Sequence, residues 1–172
     1  KYGKDVLIIP AMALASREGR DLLVYFYELD DLIHFQKTYI EPKRKRNPHG
    51  RIRLSLAESL TYIRNYPAVI SVAHPFGMLW KRMERMPEYQ NVLAIGDAIE
   101  VLNGSLSKKG NTRARTWKHS EGKSITAGSD GHHLSGLGSA LTGMPGKNHT
   151  VKSFLDGVKN KENFVTGRTM PF

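Results

Sequence analysis

The chain has 172 residues, no cysteine, and 26 Lys and Arg against 16 Asp and Glu, for a formal charge of +10 and a pI near 9.9. The missing cysteines exclude disulfides and any thiolate zinc site. No run of about eighteen apolar residues is present to cross a membrane as a helix. The opening "KYGKDVLIIP" holds too short an apolar part for a signal peptide, so a cytoplasmic setting is expected, in one domain over residues 1–172. The basic balance favours anionic partners, namely phosphate esters, nucleotides or nucleic acid.

In chain order, "VLIIP" 6–10 is the first strand-like run, and it comes so early that a preceding segment is expected. "LLVYFY" 22–27 follows as a second strand. "ELDDLIHFQKTYI" 28–40 places Leu29, Leu32, Ile33, Gln36 and Ile40 near one helical face. The densest basic stretch, "PKRKRNPHGRIR" 42–53, holds Lys43, Arg44, Lys45, Arg46, Arg51 and Arg53. It reads either as a solvated loop or as a nucleic-acid surface contacting backbone phosphates. Without interleaved aromatics it offers no base stacking.

"SLAESLTYIRNY" 55–66 predicts a helix that opens on a capping box, Ser55 with Glu58, and stops before Pro67. "AVISVAHP" 68–75 and "AIEVLNG" 98–104 are near-continuous apolar strands, as expected of strands buried on both faces. Between them, "FGMLWKRMERMPEYQNV" 76–92 suits an amphipathic helix packing Met83 and Met86, or a lid. "NTRARTWKHSEG" 111–122 reads as a helix closed by Gly122. "SITAGSD" 124–130 is the next strand. "TVKSFLDGVKN" 150–160 is a helix capped by Thr150, with Val151, Phe154, Leu155 and Val158 inward, and "NFVTGR" 163–168 is a weaker final strand. This alternation predicts an α/β protein with mainly parallel strands.

In such folds ligands bind at the carboxyl ends of the strands. His74 follows "VISVA", Asn103 follows "AIEVL", and Asp130 and His132 follow "ITAGS", so neighbouring strands would gather them in one mouth. An aspartate and a histidine two residues apart on a loop leaving a buried strand suit zinc, manganese or iron. His133 is a third ligand or, preferably, an outward neighbour. His34, His49, His119 and His149 lie on helical or basic surface segments and read as solvated.

"VLIIPAMALAS", "GRDLLVYF", "VISVAHPFG", "AIEVLNGS" and "TAGSDGHHLSGLGSALT" stand in the order expected of the PHP (polymerase and histidinol phosphatase) family, which the chain resembles from about residue 4 to about 168. The resemblance implies part of a distorted (β/α)7 barrel and a metal-dependent phosphoesterase that acts on small phosphate esters, nucleotides or nucleic acid. It also implies His74, Asp130 and His132 as catalytic metal ligands, with Asn103, Lys81, Arg82 and Arg113 as candidates to hold the substrate phosphate. Three features depart from the family pattern. The His-x-His strand that opens the family is not in this sequence, Ala13 stands where the family places a metal-bridging glutamate, and Asp21 stands where it places histidine. Asp21 is then a substitute ligand, and the divalent metal is expected to bind weakly or to be lost. The alternative is a catalytically degenerate PHP-like domain that binds nucleic acid or a partner; a fragment exposing strand edges would self-associate.

Overall fold

The structure, a computed structural model, describes residues 6–43, 54–77, 94 and 96–170, apart from the side chains of 118–121. Strands β1 (Ala11–Ala15) and β2 (Asp21–Phe26) are joined by residues 16–20, too short a link for a parallel crossover. They form an antiparallel hairpin with Ala13 opposite Leu23 and Ala15 opposite Asp21, and Gly19 turns the chain at φ 70°. The first strand is therefore five residues later than the apolar run 6–10. Those residues lie outside the strand ladder apart from the Pro10 carbonyl, which accepts from the Phe26 N–H at 2.8 Å, and Ile8 is largely exposed.

Helix α1 (Leu29–Phe35) passes into a π-helical turn, Gln36–Ile40, and then a 3-10 turn, Glu41–Lys43, so the helix expected over 28–40 is broken. Helix α2 (Leu56–Ile63) carries the predicted capping box. The Glu58 N–H donates to the Ser55 hydroxyl at 3.1 Å and the Ser55 N–H donates to the Glu58 carboxylate at 2.7 Å. Strand β3 (Ala68–Val72) pairs antiparallel with β2, and β4 (Ala98–Asn103) pairs parallel with β3. Helix α3 (Lys108–Glu121) then leads to β5 (Ser124–Gly128), parallel to β4. It starts earlier than the sequence reading at 111, because the Ser107 hydroxyl accepts from the Gly110 N–H at 3.2 Å. Gly122 closes it at φ 66°.

The resulting sheet has the order β1-β2-β3-β4-β5. It is mixed: the expectation of mainly parallel pairing holds for β3, β4 and β5, whereas the hairpin sets β1 and β2 antiparallel. β1 and β5 are not paired with each other. A second sheet pairs β6 (Ala140–Gly143), which the sequence reading missed, with β7 (Phe164–Gly167). Helix α4 (Val151–Lys159) lies between those strands, capped by Thr150 and Ser153.

β3 and β4 are buried at every position, as their continuous apolar sequences require. On one sheet face Leu22, Val24, Ile70, Val72, Ile99 and Val101 pack against Phe35 of α1 and Leu60 and Ile63 of α2. The Phe26 and Phe35 rings lie 5.6 Å apart. On the other face Val69 and Ala98 pack against Leu155 and Val158 of α4, with Tyr25 and Phe154 beside them. The helices hold the sheet from both sides and leave its ends to the loops.

Candidate functional site

The carboxyl ends of β1, β3, β4 and β5 and the start of the antiparallel β2 meet at one rim. There a pocket of about 550 Å³ is lined by Asp21, His74, Glu100, Asn103, Asp130 and His132 over a floor that includes Ala13, Ala15 and Leu23. The four ligands expected from sequence, Asp21, His74, Asp130 and His132, thus share one pocket. Ala13 presents its methyl group to the same space.

His74 Nε2 lies 3.2 Å from Asp21 Oδ2, and both side chains are mostly buried. The Ala73 N–H donates to the Asp21 carbonyl at 3.2 Å, which ties the end of β3 to the start of β2. Across the pocket His132 Nδ1 lies 2.9 Å from the Asp130 carbonyl oxygen, which turns the ring on its own loop. His74 and Asp130 both hold left-handed backbone, with φ of 28° and 47°. For residues with a side chain this conformation costs about 1–3 kcal/mol, and such residues cluster at functional sites.

Glu100 was not anticipated. It is 3% exposed at the base of the pocket. Its Oε2 accepts from the His74 N–H at 2.8 Å and from Asn103 Nδ2 at 3.1 Å. Residues 100 and 103 of a regular strand point to opposite faces. Here the register against β5 shifts between Glu100 and Leu102, since Glu100 faces Thr126 while Leu102 faces Ala127. The extra residue re-aims Asn103 so that both side chains meet, as bulges near functional sites do. Burial raises the Glu100 pKa above its ordinary value, and the Asp130 charge adds to this; the bonds from Asn103 and His74 and the charge of His74 oppose it. The available signal was a lone carboxylate inside the apolar run "AIEVL".

Asn103 was expected to hold a substrate phosphate. Its amide donates instead to Glu100 and, at 3.3 Å, to Asp130 Oδ2, while its Oδ1 accepts from the Ser105 N–H at 2.9 Å. Asn111 of α3 clasps its backbone on both sides, accepting from the Asn103 N–H at 3.0 Å and donating to its carbonyl at 2.9 Å. Arg113, the other phosphate candidate described, is not a lining residue: its guanidinium lies over the Phe76 ring, 4.7 Å from the centroid. His133 is exposed and outside the lining. Lys81, Arg82, Arg44, Lys45, Arg46, Arg51, Arg53 and most of 76–92 lie outside the described residues; Lys43 is exposed.

Besides Glu100, whose Oε2 is taken up by His74 and Asn103, the pocket gathers two carboxylates and two imidazoles, Asp21, Asp130, His74 and His132, a donor set for divalent cations. The Asp21–His74 separation suits two neighbouring positions of one coordination shell. Among the described residues no three His, Asp or Glu side chains converge closely enough to hold a metal ion by themselves.

Residues 108–163 match the family model described as PHP-associated. No curated protein sequence matches the chain. Among solved structures the fold is similar to PsfC from Pseudomonas syringae PB-5123, with a TM-score of 0.68 at 16% identity over 93% of this chain and 59% of that one. It is similar to the lesion-specific endonuclease PfuEndoQ from Pyrococcus furiosus, with a TM-score of 0.66 at 16% identity over 87% and 38%. It also resembles a candidate metal-dependent phosphoesterase from Bifidobacterium adolescentis ATCC 15703, with a TM-score of 0.53 at 13% identity over 88% and 76%. The chain spans under two thirds of PsfC and of the endonuclease. The family match, over about a third of the chain, agrees with the resemblance drawn from the sequence, and the solved structures show a similar mixed α/β fold. No helix among the described residues is long and apolar enough to cross a membrane.

Proposed function

We propose that the rim pocket is a PHP-like phosphoesterase site that binds a phosphate ester of a small molecule, nucleotide or nucleic acid with the help of a divalent cation. One observation carries this: Asp21, His74, Asp130 and His132, distant in sequence, line a single pocket at the strand ends. A pocket with three carboxylates repels a phosphate unless a cation intervenes. Asp21 and His74 would hold that cation from one side, with Asp130 and His132 facing them. Zinc, manganese and iron all suit these donors. Bound there, the cation would acidify water and neutralise charge on phosphorus.

The chain's own part is to orient and to exclude. His74 is fixed by Asp21 on its ring and by Glu100 on its backbone. Asp130 is held by Asn103. Ala13, Ala15 and Leu23 present an apolar floor that limits water there. Among the described residues the pocket lining holds no Lys or Arg, so the phosphate oxygens would rely on the cation.

The test is hydrolysis of bis(4-nitrophenyl) phosphate with manganese, zinc or iron supplied in turn. Turnover that is lost in His74→Ala and in Asp130→Asn is the expected result. Turnover equal in those variants, or none with any of the three metals, overturns the proposal. A second function is favoured by the lack of a three-ligand cluster among the described residues: a degenerate domain that binds nucleic acid. It predicts binding without turnover, weakening steeply with salt.

A further inference from the structure

We infer that Glu100 is a positioning residue, which fixes the backbone that presents His74 and, through Asn103, the carboxylate of Asp130. Three observations converge on it. A single oxygen, Oε2, accepts from both the His74 N–H and Asn103 Nδ2, so one atom links the ends of β3 and β4. Asn103 passes the link to Asp130 at the end of β5 with its 3.3 Å bond. The residues at both ends of this chain of bonds are the pocket residues whose φ is unfavourable for a side chain.

Something must over-determine such backbone for it to persist. A hydrogen bond in a buried setting, whose loss would leave the donor unsatisfied, is strong enough to do so. The other carboxylate oxygen, Oε1, is seated against Gly128: a Cβ placed there would come within 2.9 Å of it. Gly128 therefore keeps room for the Glu100 head group on β5, and the bulge in β4 aims Asn103 at it. These contacts tie the end of β3, whose ladder with β4 stops at Val72 and Ile99, to the ends of β4 and β5, which stay paired up to Asn103 and Gly128.

The link itself does not depend on what the pocket binds. Its consequence for metal affinity rests on the function proposed above. Because one oxygen takes both bonds, glutamine can replace glutamate: its carbonyl oxygen accepts from His74 and Asn103 while its amide occupies the Oε1 place beside Gly128. Alanine cannot.

The experiment compares Glu100→Gln and Glu100→Ala with the unaltered chain, after thermal melting has shown that each folds. The first readout is the His74 backbone amide proton in a 1H–15N spectrum, which needs neither metal nor activity. It is expected downfield and slow to exchange in the unaltered chain and in Glu100→Gln, and shifted upfield with faster exchange in Glu100→Ala. The second is manganese affinity by calorimetry. It is expected to fall about 10–100-fold in Glu100→Ala and to stay within about threefold in Glu100→Gln, as for groups that orient ligands without touching the ion. A His74 amide unmoved in Glu100→Ala overturns the inference. So does Glu100→Gln as defective in binding as Glu100→Ala, since Glu100 would then act through its charge. Should Glu100→Ala not fold, Gly128→Ala, which crowds Oε1, is expected to move the same amide; an unmoved amide there also counts against it. If the unaltered chain binds no manganese, the proposed function fails while the amide still decides the positioning role.

Discussion

The rim of the sheet and the starts of its helices solve the same problem, unpaired backbone groups at an element's end, in opposite ways. At α2 and α4 the solution is local. Ser55 with Glu58, and Thr150 with Ser153, exchange side-chain and backbone bonds within one turn. At the rim it is not local. The His74 N–H is satisfied by Glu100, 26 residues away, and the side chain of Asp130, not its backbone, is held by Asn103, 27 residues away. Both rim residues hold left-handed φ. Where a local rule suffices the chain follows it, and where it is broken the ionisable groups are gathered.

Core truncation should move stability most and the rim least. Leu60→Ala removes a side chain that is 2% exposed beneath the sheet and is expected to cost about 2–5 kcal/mol, read as a lower midpoint in urea. Tyr25 tests the other face. Burial, and then the Glu100 charge, pushes its phenol from 10.0 up to about 12. A pKa raised in the folded state gives stability that is complete below pH 10 and is lost as pH rises through about 12. About 2–3 kcal/mol should disappear across that window. Tyr25→Phe is expected to flatten the stability–pH curve there, and an unchanged slope would contradict the burial argument.

The caps come next. Ser55→Ala and Thr150→Ala should each cost about 1 kcal/mol in denaturant titrations and leave manganese affinity unchanged. The smallest effect on stability is expected at the rim itself. His74→Gly and Asp130→Gly lose side-chain contacts but relieve left-handed strain, so stability should stay within about 1 kcal/mol of the unaltered chain while manganese binding is lost. A large destabilisation by either glycine would show that these side chains serve the fold and not a site.

This division also explains what the sequence could show. The capping box at Ser55, the Gly122 stop, the cap at Thr150 and the strands β2 to β5 rest on local chemistry and could be read directly. The first strand was misplaced because "VLIIP" has the more apolar composition, while pairing is decided by the hairpin at Gly19, which selects "AMALA". The antiparallel half of the sheet has the same cause. β6 escaped because "ALTG" is short and weakly patterned. That Asp21, His74, Asp130 and His132 would meet in one pocket was legible from their places at the strand ends. Glu100 was not, because its role depends on a one-residue bulge that no periodicity reveals. Arg113 was drawn into the site by charge, whereas its helix places it over Phe76.

The most direct measurement is an anomalous difference map from crystals soaked in manganese. A peak in the rim pocket within coordination distance of His74 Nε2 and an Asp21 carboxylate oxygen, with Asp130 or His132 facing it, is predicted. An empty pocket at millimolar manganese, or a peak held only elsewhere on the molecule, would contradict the claim that these strand ends form a cation-assisted phosphate site.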